Sequence, residues 1–152
     1  MTFLYLDASA WVKRYYRERG SERLRGLLSG DEPRACSVLG VVEVVATLAR
    51  KCKALEITRE DFELKVAEIE RDWRTFVQIE LTLDMLDRAK QAAARLALRG
   101  SDAVHFAALQ SLEQRLSHSG HRVVLVASDR ELKEAAEASG IAVIDPEAEP
   151  SV

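Results

Sequence analysis

Four acidic residues occupy unusual positions in the sequence: Asp7, Glu43, Asp102 and Asp129. Asp7 and Asp129 each follow an apolar run typical of a buried strand, in "TFLYLD" and "RVVLVASD". In an open parallel α/β sheet, ligands bind outside the carboxyl ends of the strands, so these acids are candidates for a chemical site. Each could equally be a helix N-cap, because an Asp side chain accepts hydrogen bonds from first-turn N–H groups.

Glu43 is the only charged residue between Ala35 and Ala49, in "ACSVLGVVEVVATLA". An unpaired carboxylate buried in such a segment would be costly or would take up a proton. Two explanations remain open. Either a lysine or arginine from elsewhere in the fold pairs with Glu43, or the carboxylate binds a cation.

Asp102 lies in "RGSDAVHFAAL", at the predicted first turn of a helix. Ser101 is able to cap that helix, so a second acid beside it is redundant as a cap, which favours a chemical role. His105 follows one turn later in an apolar stripe with Phe106 and Leu109. We interpret it as a hydrogen-bonded core histidine rather than a base or ligand.

If the four acids converge, their mutual repulsion has to be offset. Hard divalent cations with oxygen ligands do this, and two Mg²⁺ or Mn²⁺ ions would neutralise four carboxylates. Because Mg²⁺ binds through few carboxylates together with substrate phosphate, the natural reaction is phosphodiester or phosphoryl chemistry. Only Asp7 and Asp129 are placed at the carboxyl ends of predicted strands. The sequence pattern alone therefore does not decide whether all four acids meet at one site.

Strands alternate with helices along the chain, which predicts an α/β fold with a central, mostly parallel sheet and helices on both faces. The strands are predicted at 3–6, 34–38, 76–81, 122–128 and 141–145. The segment 39–55 is predicted to be a largely buried helix, and Thr58 with Asp61 resembles a capping box. A further helix is predicted from Asp84 to Leu98, with Gly100 ending it.

The 152 residues fit one domain, predicted over 1–146, with a short, frayed acidic tail over 147–152. The net charge of -3 argues against coating of nucleic acid by counterion release alone, so any such activity needs a site. Cys36 and Cys52 are expected to be reduced, buried thiols. The N-terminal apolar run is too short for a signal peptide and no segment reaches the roughly 20 apolar residues of a membrane span, so we expect a cytoplasmic protein.

Four motifs occur in order and are spread over nearly the whole chain: "YLDASAWVKRYYRE", "VVEVV", "RGSDAVHFAAL" and "VVLVASDRELKEAAEASGIAVIDP". Together they resemble the PIN-domain ribonucleases, especially the VapC-type toxins of prokaryotic toxin–antitoxin pairs. The resemblance implies that Asp7, Glu43, Asp102 and Asp129 are the metal-binding acids and catalytic residues. It also implies that the hydroxyl of Ser9 supports Asp7.

The same resemblance implies Mg²⁺- or Mn²⁺-dependent cleavage of RNA, a homodimer, and a small VapB-like antitoxin that covers the active-site groove. The sequence departs from the usual pattern of this family next to Asp129. Many members of the family carry Thr or Ser two residues before the last aspartate, where this chain has Ala127, and its Ser128 is directly adjacent to that aspartate.

Two other functions are compatible with parts of the pattern. The same fold could serve a non-toxin RNA-processing factor, or a catalytically weak module that binds RNA or protein. A phosphatase or phosphotransferase of the haloacid-dehalogenase type would form an aspartyl-phosphate on Asp7. Such enzymes carry a second aspartate two residues later, where this chain has Ser9, so the sequence speaks against that alternative.

Basic and aromatic residues follow Asp7 in the first helix. Lys13, Arg14, Arg17 and Arg19 could line an RNA path by contacting phosphates, or could form a solvated basic face. Trp11, Tyr15 and Tyr16 recur at helical spacing, which is more typical of a core or a dimer interface than of a base-stacking site.

Overall fold

A computed structural model describes residues 1–149 of the chain, and within them five strands alternate with seven α-helices. The strands are β1 (Thr2–Leu6), β2 (Arg34–Ser37), β3 (Val77–Ile79), β4 (Arg122–Val126) and β5 (Ala142–Ile144). The helices are α1 (Ala8–Trp11), α2 (Ser21–Leu27), α3 (Val38–Lys53), α4 (Arg59–Trp73), α5 (Leu83–Leu96), α6 (Gly100–Ser117) and α7 (Arg130–Ala138). A 3₁₀ turn over Val12–Arg14 follows α1 directly.

The strands form one sheet in the order β3-β2-β1-β4-β5, and neighbouring strands pair in parallel. The chain moves outward from β1 through β2 to β3, and then returns to the other side of β1 to place β4 and β5. The strand order therefore reverses between β1 and β4, and such a switch point opens a crevice at the carboxyl ends of the strands. The predicted parallel α/β sheet is confirmed.

Side chains alternate along the central strands and supply two hydrophobic layers. Tyr5 and Leu125 point to the face that α5, α6 and α7 cover. Leu4 and Leu6 point to the opposite face, which α1, α2, α3 and α4 cover. The prediction of helices on both faces is confirmed, and strands buried from both sides explain the continuous apolar runs of β1 and β4.

The prediction that α3 is largely buried is wrong. One stripe of this helix is buried, formed by Gly40, Val44 and Leu48 at a spacing of four residues. Val42 lies on the opposite side and is 61% exposed, because the sheet and α4 cover only one face of the helix. Cys52, expected to be buried, is half-buried near the end of the same helix.

The predicted end of α5 is also wrong. The helix ends at Leu96, and Ala97 adopts a left-handed conformation with φ of 54°. This turn directs Leu98 into the core beneath α5 and α6. Gly100 does not end α5 but begins α6.

The start of α6 changes the interpretation of Asp102. Arg99 is the N-cap residue, and its side chain makes no capping hydrogen bond. Ser101 lies inside the helix and is exposed, so it does not cap α6 as the sequence suggested. The argument that Asp102 is redundant beside a competent cap therefore fails, and its role has to be judged from its surroundings.

Gly40 permits a close approach of α3 to the sheet and to α6. A Cβ atom added at this position would collide with Cys36 Sγ and lie 3.4 Å from His105 Cε1. We expect Gly40→Ala to lower the free energy of unfolding by about 1–3 kcal/mol, because the core there has to shift. Gly26→Ala in α2 is the matched control. Its added Cβ would meet no described atom within 4 Å, so helix propensity should keep stability equal or raise it.

Denaturant unfolding of both variants measures the difference. A Gly40→Ala protein as stable as the Gly26→Ala protein would contradict the tight packing of α3.

The C-terminal segment, as far as residue 148, packs against residues 13–23, which follow α1. Lys13 Nζ pairs with Glu147 at 3.2 Å, and Arg23 donates to the carbonyl of Ala148 at 2.6 Å. The backbone of Pro146 lies against Gly20. The frayed tail predicted from residue 147 is therefore not observed at 147–148, while residues 150–152 lie outside the described part. The domain boundary at residue 146 stays a prediction.

None of the helices that the structure describes is long and apolar enough to cross a membrane.

Candidate functional site

Asp7 lies at the carboxyl end of β1, beside the switch point of the sheet. Its backbone N–H donates to the carbonyl of Val126 at 3.2 Å, which joins the ends of β1 and β4. Its carboxylate caps α1 by accepting from the N–H of Ala10 at 3.0 Å. The residue is 4% exposed. Asp7 is thus both a cap and a buried carboxylate at the edge where ligands bind.

Ser9 connects the two sides of the switch point. Its hydroxyl lies 2.8 and 2.7 Å from the two carboxylate oxygens of Asp7, to which it donates, and it accepts from the N–H of Ser128 at 3.2 Å. The hydroxyl of Ser128 itself donates to Asp145 at 3.0 Å. The hydroxyl adjacent to Asp129 is therefore engaged with another acid, and Ser9 is the hydroxyl that contacts the predicted site.

Asp129 and Asp102 meet at one guanidinium. Asp129 follows β4 and caps α7, because its Oδ2 accepts from the N–H of Leu132 at 2.9 Å. Its Oδ1 accepts from Arg99 Nη2 at 2.6 Å. Asp102, in the first turn of α6, accepts from Arg99 Nε at 3.0 Å. Arg99 thus bridges two of the four predicted acids.

Glu43 projects from α3 and is held by His105. His105 Nε2 lies 2.5 Å from a carboxylate oxygen of Glu43, and Nδ1 lies 2.8 Å from the hydroxyl of Tyr5. A carboxylate only accepts, so in the neutral imidazole Nε2 carries the proton and Tyr5 donates to Nδ1. The prediction that His105 is a hydrogen-bonded core residue is confirmed. The partner of Glu43 is this histidine rather than a lysine or arginine, and the side chain is 29% exposed rather than buried.

Burial and like charge act together on the inner acids. Burial raises the pKa of Asp7 from 3.8 to about 6, and the charge of Asp129 acts in the same direction. His105 and the hydroxyl of Ser9 oppose this rise. Burial also raises the pKa of Asp102, and the charge of Asp129 again adds to the effect. These carboxylates are close enough to repel one another, which is the electrostatic condition that a cation relieves.

A cleft of about 610 Å³ opens beside these residues. Glu43, Asp129 and Ser9 line it, together with Arg50 and Lys51 from the last turns of α3. Asp7 and Asp102 are more deeply buried and do not line the cleft. The structure therefore brings all four predicted acids to the carboxyl edge of the sheet, two of them at the cleft surface and two behind it.

Comparison with known proteins identifies the family. A family model described as "PIN domain" matches residues 4–138, a range that contains all four acids. The chain belongs to the PIN-domain family. Two ribonucleases of Mycobacterium tuberculosis, VapC45 and VapC49, are each similar to this PIN domain at 34% identity over 154 residues, which cover 99% of this chain and 100% of theirs.

Solved structures show the same fold. The Mycobacterium tuberculosis toxin VapC20, described as cleaving the sarcin-ricin loop, aligns with a TM-score of 0.67 and 18% identity, over 97% of this chain and 99% of that one. DNA-bound VapBC from Salmonella typhimurium aligns with a TM-score of 0.62 and 16% identity, over 96% and 99% of the two chains. Membership in the PIN family sets aside the haloacid-dehalogenase alternative for Asp7.

Lys13 of this PIN domain lines the cleft but is buried and paired with acids, and Arg14 does not line it, so neither lies on a solvated basic face. Lys13 is buried and its Nζ lies 3.0 Å from Glu18 and 3.2 Å from Glu147. Arg14 donates to Asp72 at 2.7 Å. The acids that neutralise these cations lie 5, 58 and 134 residues away in sequence. A helical pattern relates residues three or four positions apart, so it could not reveal these pairs.

The cations that α3 contributes to the cleft are not among those that the sequence singled out. Arg17 and Arg19 are exposed, as a solvated basic face requires, but they do not line the cleft. Arg50 and Lys51, which do line it, were missed by sequence reasoning. The signal was available, because Arg50 follows Glu43 by seven residues, or two helical turns, and so lies on the same face of α3.

Of the three aromatic residues predicted to lie in the core or at a dimer interface, Trp11 and Tyr15 belong to the core. The Trp11 ring stacks on Phe76 with centroids 4.7 Å apart, and its indole N–H donates to Tyr15 at 2.9 Å. Tyr16 is partly exposed, and its hydroxyl donates to Glu56.

The four acids fit a divalent cation in their chemistry. Carboxylate oxygens are the ligands that Mg²⁺ and Mn²⁺ prefer. Burial, with the charge of Asp129, raises the pKa of both Asp7 and Asp102, and a bound cation would favour their ionised forms. Within residues 1–149, no three side chains of His, Cys, Asp or Glu are grouped closely enough to hold one ion as they stand. Arg99 lies between Asp102 and Asp129, so shared coordination by these two requires that Arg99 move.

Proposed function

We propose that this PIN domain is an endoribonuclease that hydrolyses RNA phosphodiester bonds with the help of Mg²⁺ or Mn²⁺. One observation carries the proposal: carboxylates from β1, α3, α6 and the end of β4 lie at one edge of the sheet, beside an open cleft. The similarity to VapC45 and VapC49, which spans both chains, supports the choice of RNA as the substrate.

The residues that would hold the cation are Asp7, Glu43, Asp102 and Asp129. When bound, such an ion supplies a more acidic water as nucleophile and positive charge for the phosphoryl and leaving oxygens. The remaining work falls to the protein. Ser9 fixes the carboxylate of Asp7, and His105 fixes that of Glu43 through its hydrogen bond to Tyr5.

The cleft offers contacts to the RNA backbone. Arg50 is exposed at its rim and can reach phosphate oxygens. Lys51 lies beside it, partly exposed and paired with Glu56 at 3.4 Å, and adds positive charge to the same rim. Such contacts orient the strand without reading its sequence. The overall charge of -3 fits this arrangement, since binding then depends on a local site rather than on the net charge of the protein.

Incubation of the purified protein with a structured RNA tests the proposed reaction. We expect discrete cleavage products with Mn²⁺ and intact RNA with EDTA. Equal cleavage under both conditions would contradict a metal-dependent mechanism, and intact RNA in both would contradict ribonuclease activity on that substrate.

Ser9→Ala removes the hydroxyl that joins Asp7 to the N–H of Ser128. We expect it to lower Mn²⁺ affinity or cleavage by about 10–100-fold, the usual effect of losing a group that orients a metal ligand. Ser128→Ala is the contrasting variant. Its hydroxyl donates to Asp145 instead of the predicted ligands, so most of the activity should remain. Equal losses in the two variants would contradict the specific role of Ser9.

We also propose that the protein is the toxin of a toxin–antitoxin pair, acts in the cytoplasm as a homodimer, and is inhibited by a small VapB-like antitoxin. The exposed Val42 lies on the rim of the cleft, next to Glu43, and offers apolar surface that a partner covering the groove would bury.

Expression in a bacterial host tests the biological role. We expect growth arrest that is relieved by co-expression of the product of an adjacent small gene. Normal growth with an active nuclease would favour the non-toxin RNA-processing alternative.

A further inference from the structure

Arg99 occupies the space between two of the proposed metal ligands. It lies where the chain turns from α5 into α6, and its guanidinium uses two different nitrogens to contact two carboxylates. Nε lies 3.0 Å from Asp102 and Nη2 lies 2.6 Å from Asp129. The side chain of Arg99 is 68% exposed, whereas those of the two acids are 8% and 20% exposed. A single exposed cation therefore covers two largely buried anions.

The position of Arg99 argues against a purely structural role. Its side chain does not cap α6, and Asp129 already caps α7 without it. Ion pairs of such an exposed side chain contribute little to folding and are held only weakly. The pair of acids, however, needs positive charge, because Asp102 and Asp129 face each other across the guanidinium. The bridge thus balances the charge of the two acids, contributes little to the free energy of folding, and needs little free energy to break.

We propose that Arg99 is an internal counter-cation, which balances Asp102 and Asp129 in the metal-free protein and leaves them for solvent when a divalent cation binds. This inference rests on the proposed function, since it assigns the same acids to the metal. Arg99 is then a positioning residue that lowers metal affinity. It competes for the carboxylate oxygens, and its positive charge opposes an incoming cation.

Removal of the Arg99 guanidinium distinguishes a residue that competes with the metal from one that helps the carboxylates to bind it. If Arg99 competes with the metal, Arg99→Ala tightens Mn²⁺ binding. If Arg99 instead holds the carboxylates in a binding arrangement, the same variant weakens it. Arg99→Lys keeps the charge but loses the planar fork that spans two carboxylates, so its affinity should lie between those of the wild type and Arg99→Ala.

Titration calorimetry with Mn²⁺ on the full chain is the test, with Arg95→Ala as the matched control. Arg95 is an exposed arginine in the last turn of α5, four residues before Arg99. We expect Arg99→Ala to bind Mn²⁺ about fivefold more tightly, as the loss of two exposed ion pairs allows. Arg95→Ala should match the wild type. Unchanged or weaker binding by Arg99→Ala would overturn the inference while leaving the proposed metal site in place.

Thermal unfolding supplies a second readout. In EDTA and low salt, Arg99→Ala leaves two acids without a counterion, so its Tm should fall by about 2 °C. Mn²⁺ should then raise the Tm of this variant more than that of the wild type. Identical Mn²⁺-induced shifts in the two proteins would overturn the inference. A wild type that binds no Mn²⁺ in either experiment would overturn both the counter-cation role and the proposed metal-dependent function.

Discussion

Replacement of Asp102 with asparagine is expected to reduce Mn²⁺-dependent RNA cleavage on the order of 10²–10⁴-fold, while the protein stays folded. Asparagine has nearly the same shape, but it lacks the negative charge that a divalent cation requires. The fold should tolerate the change, because burial and the charge of Asp129 already disfavour the ionised form of Asp102. Cleavage assays and circular dichroism on the same preparation measure the two effects separately.

Asp84→Asn is the matched control for this experiment. Asp84 lies in the first turn of α5, as Asp102 lies in the first turn of α6, but it is exposed and does not line the cleft. It should cleave RNA as the wild type does. Full activity of Asp102→Asn would remove this residue from the mechanism, and equal losses in both variants would point to a general effect on helix N-termini.

Asp7→Asn should stabilise the metal-free protein at neutral pH while abolishing cleavage. The pKa of Asp7 is about 6 in the folded state against an ordinary value of 3.8, so folding takes up a proton between these values. The free energy of unfolding therefore falls as the pH rises from about 4 to 6 and stays lower above it. The loss is on the order of 2–3 kcal/mol. Asparagine carries no charge at any of these pH values and still caps α1, so it avoids the loss.

Denaturant unfolding in EDTA from pH 4 to pH 8 measures the stability difference between Asp7→Asn and the wild type. We expect the two proteins to be similar near pH 4 and the variant to be more stable above pH 6. Mn²⁺ should stabilise the wild type at pH 7 and leave the variant unchanged. A constant difference across the pH range would contradict the raised pKa of Asp7.

Local sequence patterns predicted the parts of the site that depend on local structure. Asp7 and Asp129 follow short apolar runs, and such runs form central parallel strands whose carboxyl ends share one edge of the sheet. His105 was predicted to be a hydrogen-bonded core residue because its neighbours Phe106 and Leu109 are apolar. In these cases, the identity of a residue and its position within one element were sufficient.

The contacts between elements were not predictable in the same way. Arg99 bridges Asp102 and Asp129 from the N-cap position of α6, and the left-handed turn at Ala97 that precedes it gave no sequence signal. A non-glycine residue in that conformation is uncommon, so propensity argues against it. The packing of Leu98 into the core decided the helix boundary instead.

Charge pairing was the other feature that sequence reasoning missed. Lys13 was expected either to contact RNA or to lie on a solvated basic face, yet it is buried between Glu18 and Glu147. The first of these acids is five residues away and the second is 134 residues away. A helical pattern describes neighbours three or four positions apart, and it therefore cannot identify such partners.

A crystal of the protein grown with Mn²⁺ and measured for anomalous scattering would test the central claim most directly. We predict an anomalous peak among the carboxylates of Asp7, Glu43, Asp102 and Asp129, with the guanidinium of Arg99 no longer between Asp102 and Asp129. A map without a peak at these carboxylates, with Arg99 still bridging the two aspartates at millimolar Mn²⁺, would contradict the assignment of this edge of the sheet as a metal-dependent nuclease site.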